Sequence, residues 1–228
     1  MEKHFELTEE FKINFLGIKI FRIKATKKTK WANIGDIGGW VSSTNNVSGN
    51  AWVYGDAEVS GDARVYGDAR VYGDAEVYGN ARVFGDAEVY GNARVFGDAR
   101  VFGDARVFGD AEVYGNARVY GNAMVFGDAE VYGNARVFGD ARVYGDAEVS
   151  GNAKLESNND FCVFSNFGSS NRTTTFFKTK TNEIKVKCGC FEGTLKEFSE
   201  KIKETHSDNK FFKEYEAIIN VVKIKFGL

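Results

Sequence analysis

The sequence predicts a mainly β protein built around a parallel β-helix of about six triangular coils, with an N-terminal β cap and a small C-terminal α+β domain. Three observations point there. From Val47 the unit Val-x-Gly-Asp/Asn-Ala-x recurs without insertion, through VSGNAW, VYGDAE and VSGDAR to VSGNAK, giving eighteen hexapeptides that end at Leu155. The 26 glycines fall mostly at six-residue intervals, so they punctuate a regular structure and do not form a linker. Proline is absent.

Side chains alternate across a strand, so Val and Ala point inward while Arg or Glu and Tyr or Phe point outward. Gly followed by Asp or Asn makes the corner, because these residue types tolerate left-handed backbone better than others. The corner acids are therefore read as structural. This unit resembles the hexapeptide repeat of left-handed parallel β-helices, in which an aliphatic residue is followed four places on by a small one and three hexapeptides complete a coil. The resemblance covers residues 47–155 and implies six coils, about 29 Å tall at roughly 4.8 Å per strand.

Triangular coils require residues eighteen apart to share a face, although a six-residue repeat alone does not. The charged positions obey this. One column reads Arg64, Arg82, Arg100, Arg118, Arg136, Lys154, and the aromatic column beside it reads Tyr66, Phe84, Phe102, Tyr120, Phe138. The next charged column reads Glu58, Glu76, Arg94, Glu112, Glu130, Glu148, acidic with one exception. The third is mixed: Trp52, Arg70, Glu88, Arg106, Met124, Arg142. Duplication of an 18-residue unit would produce the same sorting.

Residues 1–46 hold the apolar run INFLGIKIFRIKA, the basic KATKKTK and the glycine-rich IGDIGGWV. Trp31, Trp40 and Trp52 fall where the repeats begin, as expected of rings covering the open end of a solenoid. Residues 156–228 leave the repeat. FCVF, TTTFFKTK and EIKVKCGCF read as strands, and Thr194 with Glu197 forms a capping box opening a helix with Leu195, Phe198 and Ile202 on one face. A second helix from about Asn209 to Phe226 carries Tyr215, Ile218, Ile219, Val222 and Phe226 at the helical spacing of a buried stripe. The segments FRIKA...GDIGGWV and CGCFEGTLKEFSEKIKETHSDN resemble phage- and prophage-encoded hexapeptide proteins, a resemblance that implies an origin and no settled activity.

Several function classes are disfavoured. A net charge of -2 gives no whole-chain attraction for nucleic acid or membrane. No stretch approaches the roughly 20 apolar residues of a membrane span, and the first residues lack a secretory pattern, so a cytoplasmic protein is expected. The acyltransferases of the hexapeptide family use a histidine base near a protruding loop, whereas the coils here contain neither, and only His4 and His206 exist. Cys162, Cys188, Cys190 and His206 are the candidate metal ligands, but Cys-x-Cys lacks common zinc spacing and three core cysteines are the expected account. The calcium β-roll nonapeptide and the hydroxyl ranks of ice binders are missing as well. No cofactor is expected.

What remains is a non-catalytic scaffold with charged, aromatic faces that some partner covers. One expectation is a homo-oligomer, a trimer above all, in which the acidic face (Glu58, Glu76, Glu112, Glu130, Glu148) of one subunit packs on the basic face of the next. The alternative is an anionic nucleotide or nucleic acid held on the basic and aromatic strip, with cations on phosphates and rings stacked on bases. A host protein is a further candidate partner, following from the phage resemblance. No membrane is expected.

Overall fold

Valine and alanine at the inward positions set the width of the fold. In the computed structural model, which describes residues 3–228, every repeat valine from Val47 to Val149 and every repeat alanine from Ala51 to Ala147 is shut off from solvent. Strands of two to four residues stack in parallel with a constant step of eighteen, so that Arg100 lies between Arg82 and Arg118, and Val101 between Val83 and Val119. The result is a β-solenoid of about six coils with three parallel sheets. Main-chain bonds between coils close each ladder, as from Arg100 N–H to Ala117 O at 2.9 Å.

The corners assign different work to their two residues. Only glycine takes the left-handed backbone, with φ near +76° at Gly85, while the aspartate or asparagine that follows keeps an ordinary negative φ. The expectation that both would need left-handed geometry is therefore corrected. The Asp or Asn instead extends the ladder, as Asp68 N–H donates to Gly85 O at 2.8 Å. A second constraint acts on glycine: a Cβ on Gly85 would sit 3.0 Å from the backbone nitrogen of Gly103 in the next coil.

Parallel stacking begins before the repeat does. Strands β1 (Phe5–Ile13) and β2 (Lys19–Ala25) form an antiparallel hairpin, and β2 pairs with β3 (Ile37–Val41), which runs parallel to the first strand of the acidic sheet. Phe5, Ile23 and Ala25 join the valine core and close this end. Gly38 and Gly39 permit the approach, since a Cβ on Gly39 would lie 2.6 Å from Val53 Cγ1. The three tryptophans do not form a common plug. Trp52 is buried beneath His4 and Phe5. Trp40 lies between Lys12 and Arg22, and Trp31 between Lys30 and Arg70, each cation 4.3 to 4.6 Å from the ring centre.

A single turn of 3-10 helix marks each end of the coils. Ser43 caps Thr44–Asn46 and Ser157 caps Asn158–Asp160, each in a reciprocal capping box. The buried Asn46 amide donates to Gly61 O and Ala63 O at 3.0 and 2.8 Å, satisfying carbonyls that would otherwise be stranded at the first coil. At the other end Leu155 replaces valine and packs with Phe161 and Phe177.

The C-terminal region is a four-stranded antiparallel sheet (Phe161–Phe167, Arg172–Lys178, Ile184–Cys188, Phe191–Thr194) carrying helices α1 (Leu195–His206) and α2 (Lys210–Phe226). Thr194 Oγ1 accepts from Glu197 N–H at 3.1 Å and Asn209 caps α2. Phe176, Val186, Phe198, Ile202, Tyr215 and Val222 form a second core. This region meets the last coil through Lys180 N–H to Asn152 O and Glu148 N–H to Thr175 Oγ1, both at 3.1 Å.

Two outcomes test these assignments. Gly85→Ala should lose about 1–2 kcal/mol to left-handed strain and more to the contact with Gly103, whereas Gly145→Ala, with open space around it, should lose the strain alone. Urea denaturation ranks the two variants, and equal losses would remove the coil contact from the account. His4 Nε2–H donates to Ala51 O at 3.1 Å, and burial lowers its pKa below the ordinary 6.5. The unfolded chain therefore binds more protons as pH falls below 6.5, and stability should decline there. Thermal midpoints between pH 7.5 and 5 should fall for the natural chain and fall less for His4→Gln.

Candidate functional site

Because each outward position is repeated every eighteen residues, a face is a set of ladders. The aromatic columns stack ring on ring. Tyr66, Phe84, Phe102, Tyr120 and Phe138 form one continuous stack with centroids 4.8 to 5.1 Å apart and planes within 7° of parallel. Their faces are spent on one another, so only ring edges look outward. Within the column the faces between coils are closed to bases, and only Tyr66 and Phe138 have a ring face outside the stack.

The acidic column is largely compensated inside the chain. Lys12 pairs with Glu58 at 2.8 Å and Arg94 with Glu112 at 2.6 Å. The hydroxyl of Tyr114 donates to Glu130 at 2.8 Å, and Glu148 faces Lys187 at 3.4 Å and the Tyr132 hydroxyl at 3.4 Å. Arg94, the exception in the sequence column, is thus the cation that serves its neighbour. Glu76 is held above the usual carboxylate range by burial and by the Glu58 charge, against the opposing pull of Arg94 and Lys12. Burial and the Glu130 carboxylate push the Tyr114 phenol upward in turn.

The same face is covered at both ends, where serine replaces the ring of the repeat. Asn14 Nδ2 donates to the buried Ser60 Oγ at 3.2 Å, and Phe15 meets Tyr78 edge-on. Ser150 is buried beside the C-terminal sheet. On the mixed face Arg70 and the Tyr72 hydroxyl both reach Glu88.

The basic column differs. Arg64, Arg82, Arg100, Arg118, Arg136 and Lys154 lie in one sheet in continuous register. Among the described residues no carboxylate lies within ion-pair distance of any of them, and Lys154 alone has a ring contact, 5.7 Å over Phe138. At the coil spacing of about 4.8 Å, adjacent unit charges repel by roughly 1 kcal/mol in bulk water. The column is therefore a cost to the isolated chain that no ion pair among the described residues offsets.

The corners bordering this column were not singled out by the sequence reading. They run Asp62, Asn80, Asp98 and then Asn116, Asn134, Asn152. A shallow recess of about 420 Å³ over Arg64, Arg82 and Arg100 includes Asp62 and Asp98, whereas one of about 350 Å³ over Arg136 and Lys154 is lined by Asn134, Asn152 and Lys180 with no carboxylate. The signal was present in the eighteen-residue columns of the corners; Lys180 had none, since the hairpin that brings it there lies outside the repeat.

Of the remaining candidates Cys188, Cys190 and His206 line one shallow recess of about 220 Å³, from which Cys162 is absent. Cys162 and Cys188 lie on strands separated by Arg172–Lys178, opposite Phe176 and Thr174 respectively. Burial pushes the Cys162 thiol up to about 11, Cys188 accepts from Thr174 Oγ1 at 3.1 Å, and Cys190 is exposed, contrary to the expectation of three core cysteines. His206 packs against Tyr215 and Phe211. Among the described residues no three His, Cys, Asp or Glu side chains are grouped to hold a metal ion, and no helix is long and apolar enough to cross a membrane.

If the basic column serves a ligand and not the fold, removing charge from it should stabilise the chain. Arg100→Gln with Arg118→Gln should raise unfolding stability by roughly 1 kcal/mol at low salt, with the gain disappearing near 1 M salt. Arg94→Gln, which breaks the pair with Glu112, should lower it. Chemical denaturation at two ionic strengths checks both; a loss of stability in the double variant would mark the column as structural.

Parts of the coil region match the family model described as the YdcK beta solenoid repeat, over residues 57–73, 63–77, 87–101, 111–123, 117–131 and 129–145. No curated protein matches the chain significantly. The repeat matches and the coil geometry agree that this chain is a β-solenoid repeat protein.

Proposed function

We propose that the chain is a non-catalytic binding scaffold that presents its Arg64 to Lys154 face to an extended nucleic-acid backbone. The observation that carries this reading is the imbalance between faces: the acidic column has most of its charge partnered within the chain, while the basic column has no ion pair among the described residues. A ligand for that face must bring negative charge at intervals along one direction. A phosphate backbone does so, and it needs only the cations, since the ring faces are occupied. Binding on this reading is indifferent to base sequence. Following the phage resemblance, the proposal extends to a phage-derived protein working in a host cytoplasm, where holding a host nucleic acid, nucleotide or protein would blunt a defence.

A second reading, self-assembly as a trimer, is favoured by the shared pitch of all columns: a Glu ladder on one copy matches an Arg ladder on another step for step. It must displace Arg94, Lys187 and the tyrosine hydroxyls from the carboxylates they already hold, which is why it ranks second.

One set of variants separates the two. Fluorescence anisotropy with a labelled twenty-nucleotide single strand should show affinity falling with salt at a log–log slope of about -4, given roughly 0.7 per neutralised phosphate and five or six contacts. Arg100→Glu with Arg118→Glu should weaken binding at least tenfold. Absence of binding at low salt, or indifference to the reversal, would sink the nucleic-acid reading. Light scattering on the same samples would support the trimer if the natural chain is trimeric, the reversal dissociates it, and Glu112→Arg with Glu130→Arg restores it.

A further inference from the structure

We infer that the C-terminal end of the basic face, where the last coils meet the 178–184 hairpin, is a discrete site for an oligophosphate group. The inference rests on the reading of the basic face as a ligand surface, and it adds a location and a ligand class that the Arg column alone does not supply.

The first observation is the state of the corner amides. Wherever an asparagine has an aspartate one coil above it, its side-chain amide donates to that carboxylate: Asn50 to Asp68 at 2.9 Å, Asn80 to Asp98 at 3.2 Å, Asn92 to Asp110 at 2.9 Å and Asn122 to Asp140 at 3.1 Å. Asn116 and Asn134 have asparagine above them, and Asn152 is the last of its column. None of the three side chains makes a hydrogen bond among the described residues. Three successive amides on one edge are thus left with donors unspent, and this is the only corner column of the coils that ends so.

The second observation is what faces them. Arg136 and Lys154 are the last two cations of the basic column, and Lys180 is brought alongside by its backbone N–H bond to Asn152 O. The recess these residues line measures about 350 Å³, the lower end of the range for small-molecule sites. Its charged lining is entirely cationic. Glu183 and Glu192 line an adjoining recess with Lys185, and that recess shares Asn152 and Lys180 with this one. A guanidinium fork, two ammonium groups and amide donors, with no carboxylate among them, suit an anion with many acceptor oxygens. A single inorganic ion would leave most of this space to water, whereas two or three linked phosphates would fill more of it and offer oxygens to more of its donors.

The corner chemistry also supplies a variant that keeps the fold. Aspartate already occupies eleven of the eighteen corners, two of them in this column, and Asp68, Asp86 and Asp104 are stacked in succession elsewhere. Asn134→Asp with Asn152→Asp therefore replaces donors by acceptors without asking the backbone for anything new. Calorimetric titration of the full chain with inorganic pyrophosphate and tripolyphosphate, and with sulfate for comparison, is expected to show one oligophosphate site. The double variant should weaken it more than tenfold without lowering the unfolding midpoint, and Lys180→Ala should weaken it several-fold. Asn92→Asp, on a distant corner, should leave it unchanged.

The site is overturned if pyrophosphate gives no binding up to millimolar concentration, if sulfate binds as tightly, or if the double variant or Asn92→Asp behaves otherwise. The single-strand assay keeps the two readings apart. Retention of the oligonucleotide without pyrophosphate binding would remove this site and leave the wider face intact; pyrophosphate binding without oligonucleotide retention would do the reverse.

Discussion

Everything in the coils follows from the stacking of each residue on its counterpart eighteen positions away. Parallel strands in constant register bring like beside like, so a choice made at one position is multiplied along the axis. Valine over valine gives a dry interior, and glycine over glycine a corner too tight for a Cβ. Ring over ring gives a stack whose faces are closed to anything else. The same rule is unforgiving for charge, because arginine over arginine is repulsive unless something intervenes.

The protein deals with that repulsion differently on its three sides. On the mixed face Arg70 lies beside Glu88, so the column partly neutralises itself. On the acidic face a single arginine, two lysines from outside the coils and the tyrosine hydroxyls of the preceding coil take up the carboxylates. On the basic face no ion pair does so among the described residues, and only the corner carboxylates Asp62 and Asp98 lie near Arg64, Arg82 and Arg100. The terminal regions fold against the acidic face and against the ends of the mixed face, at Trp52, Arg70 and Tyr144, and reach the edges of the basic face through Lys30, bridging Asp68 and Asp86 at one corner, and Lys180 at the other. The terminal regions thus add further positive charge at the edges of the face that is already positive.

The coil was legible because its determinants are local and periodic. Val, Ala and Gly at fixed offsets announce both the strand faces and the corner, and the Arg and Glu columns reveal the step of eighteen. The helices were legible from Thr194, Glu197 and the apolar spacing of Tyr215 to Val222. What escaped depends on contacts between distant segments. Nothing near Trp31 says that it will lie on Arg70, or near Lys180 that it will stand beside Asn152. The serines at 60 and 150 were visible as departures from the aromatic rule, but their meaning, that a terminal segment lies over them, required the fold. The unspent amides were hidden for another reason: Asn and Asp are interchangeable to the backbone, and differ only in what stands one coil above.

The closed ends bear on how the molecule avoids becoming a fibre. A solenoid cut across its axis exposes three rows of unpaired N–H and C=O groups at the spacing of the coil itself, so one cut end is a template for another and the stack has no intrinsic length. Here Asn46 takes the carbonyls of Gly61 and Ala63, the hairpin of β1 and β2 turns the sheet antiparallel, and Lys180 and Thr175 occupy the last coil. These few contacts convert an open-ended polymer geometry into a particle of fixed size, and a chain trimmed of either terminal region would present a growing end.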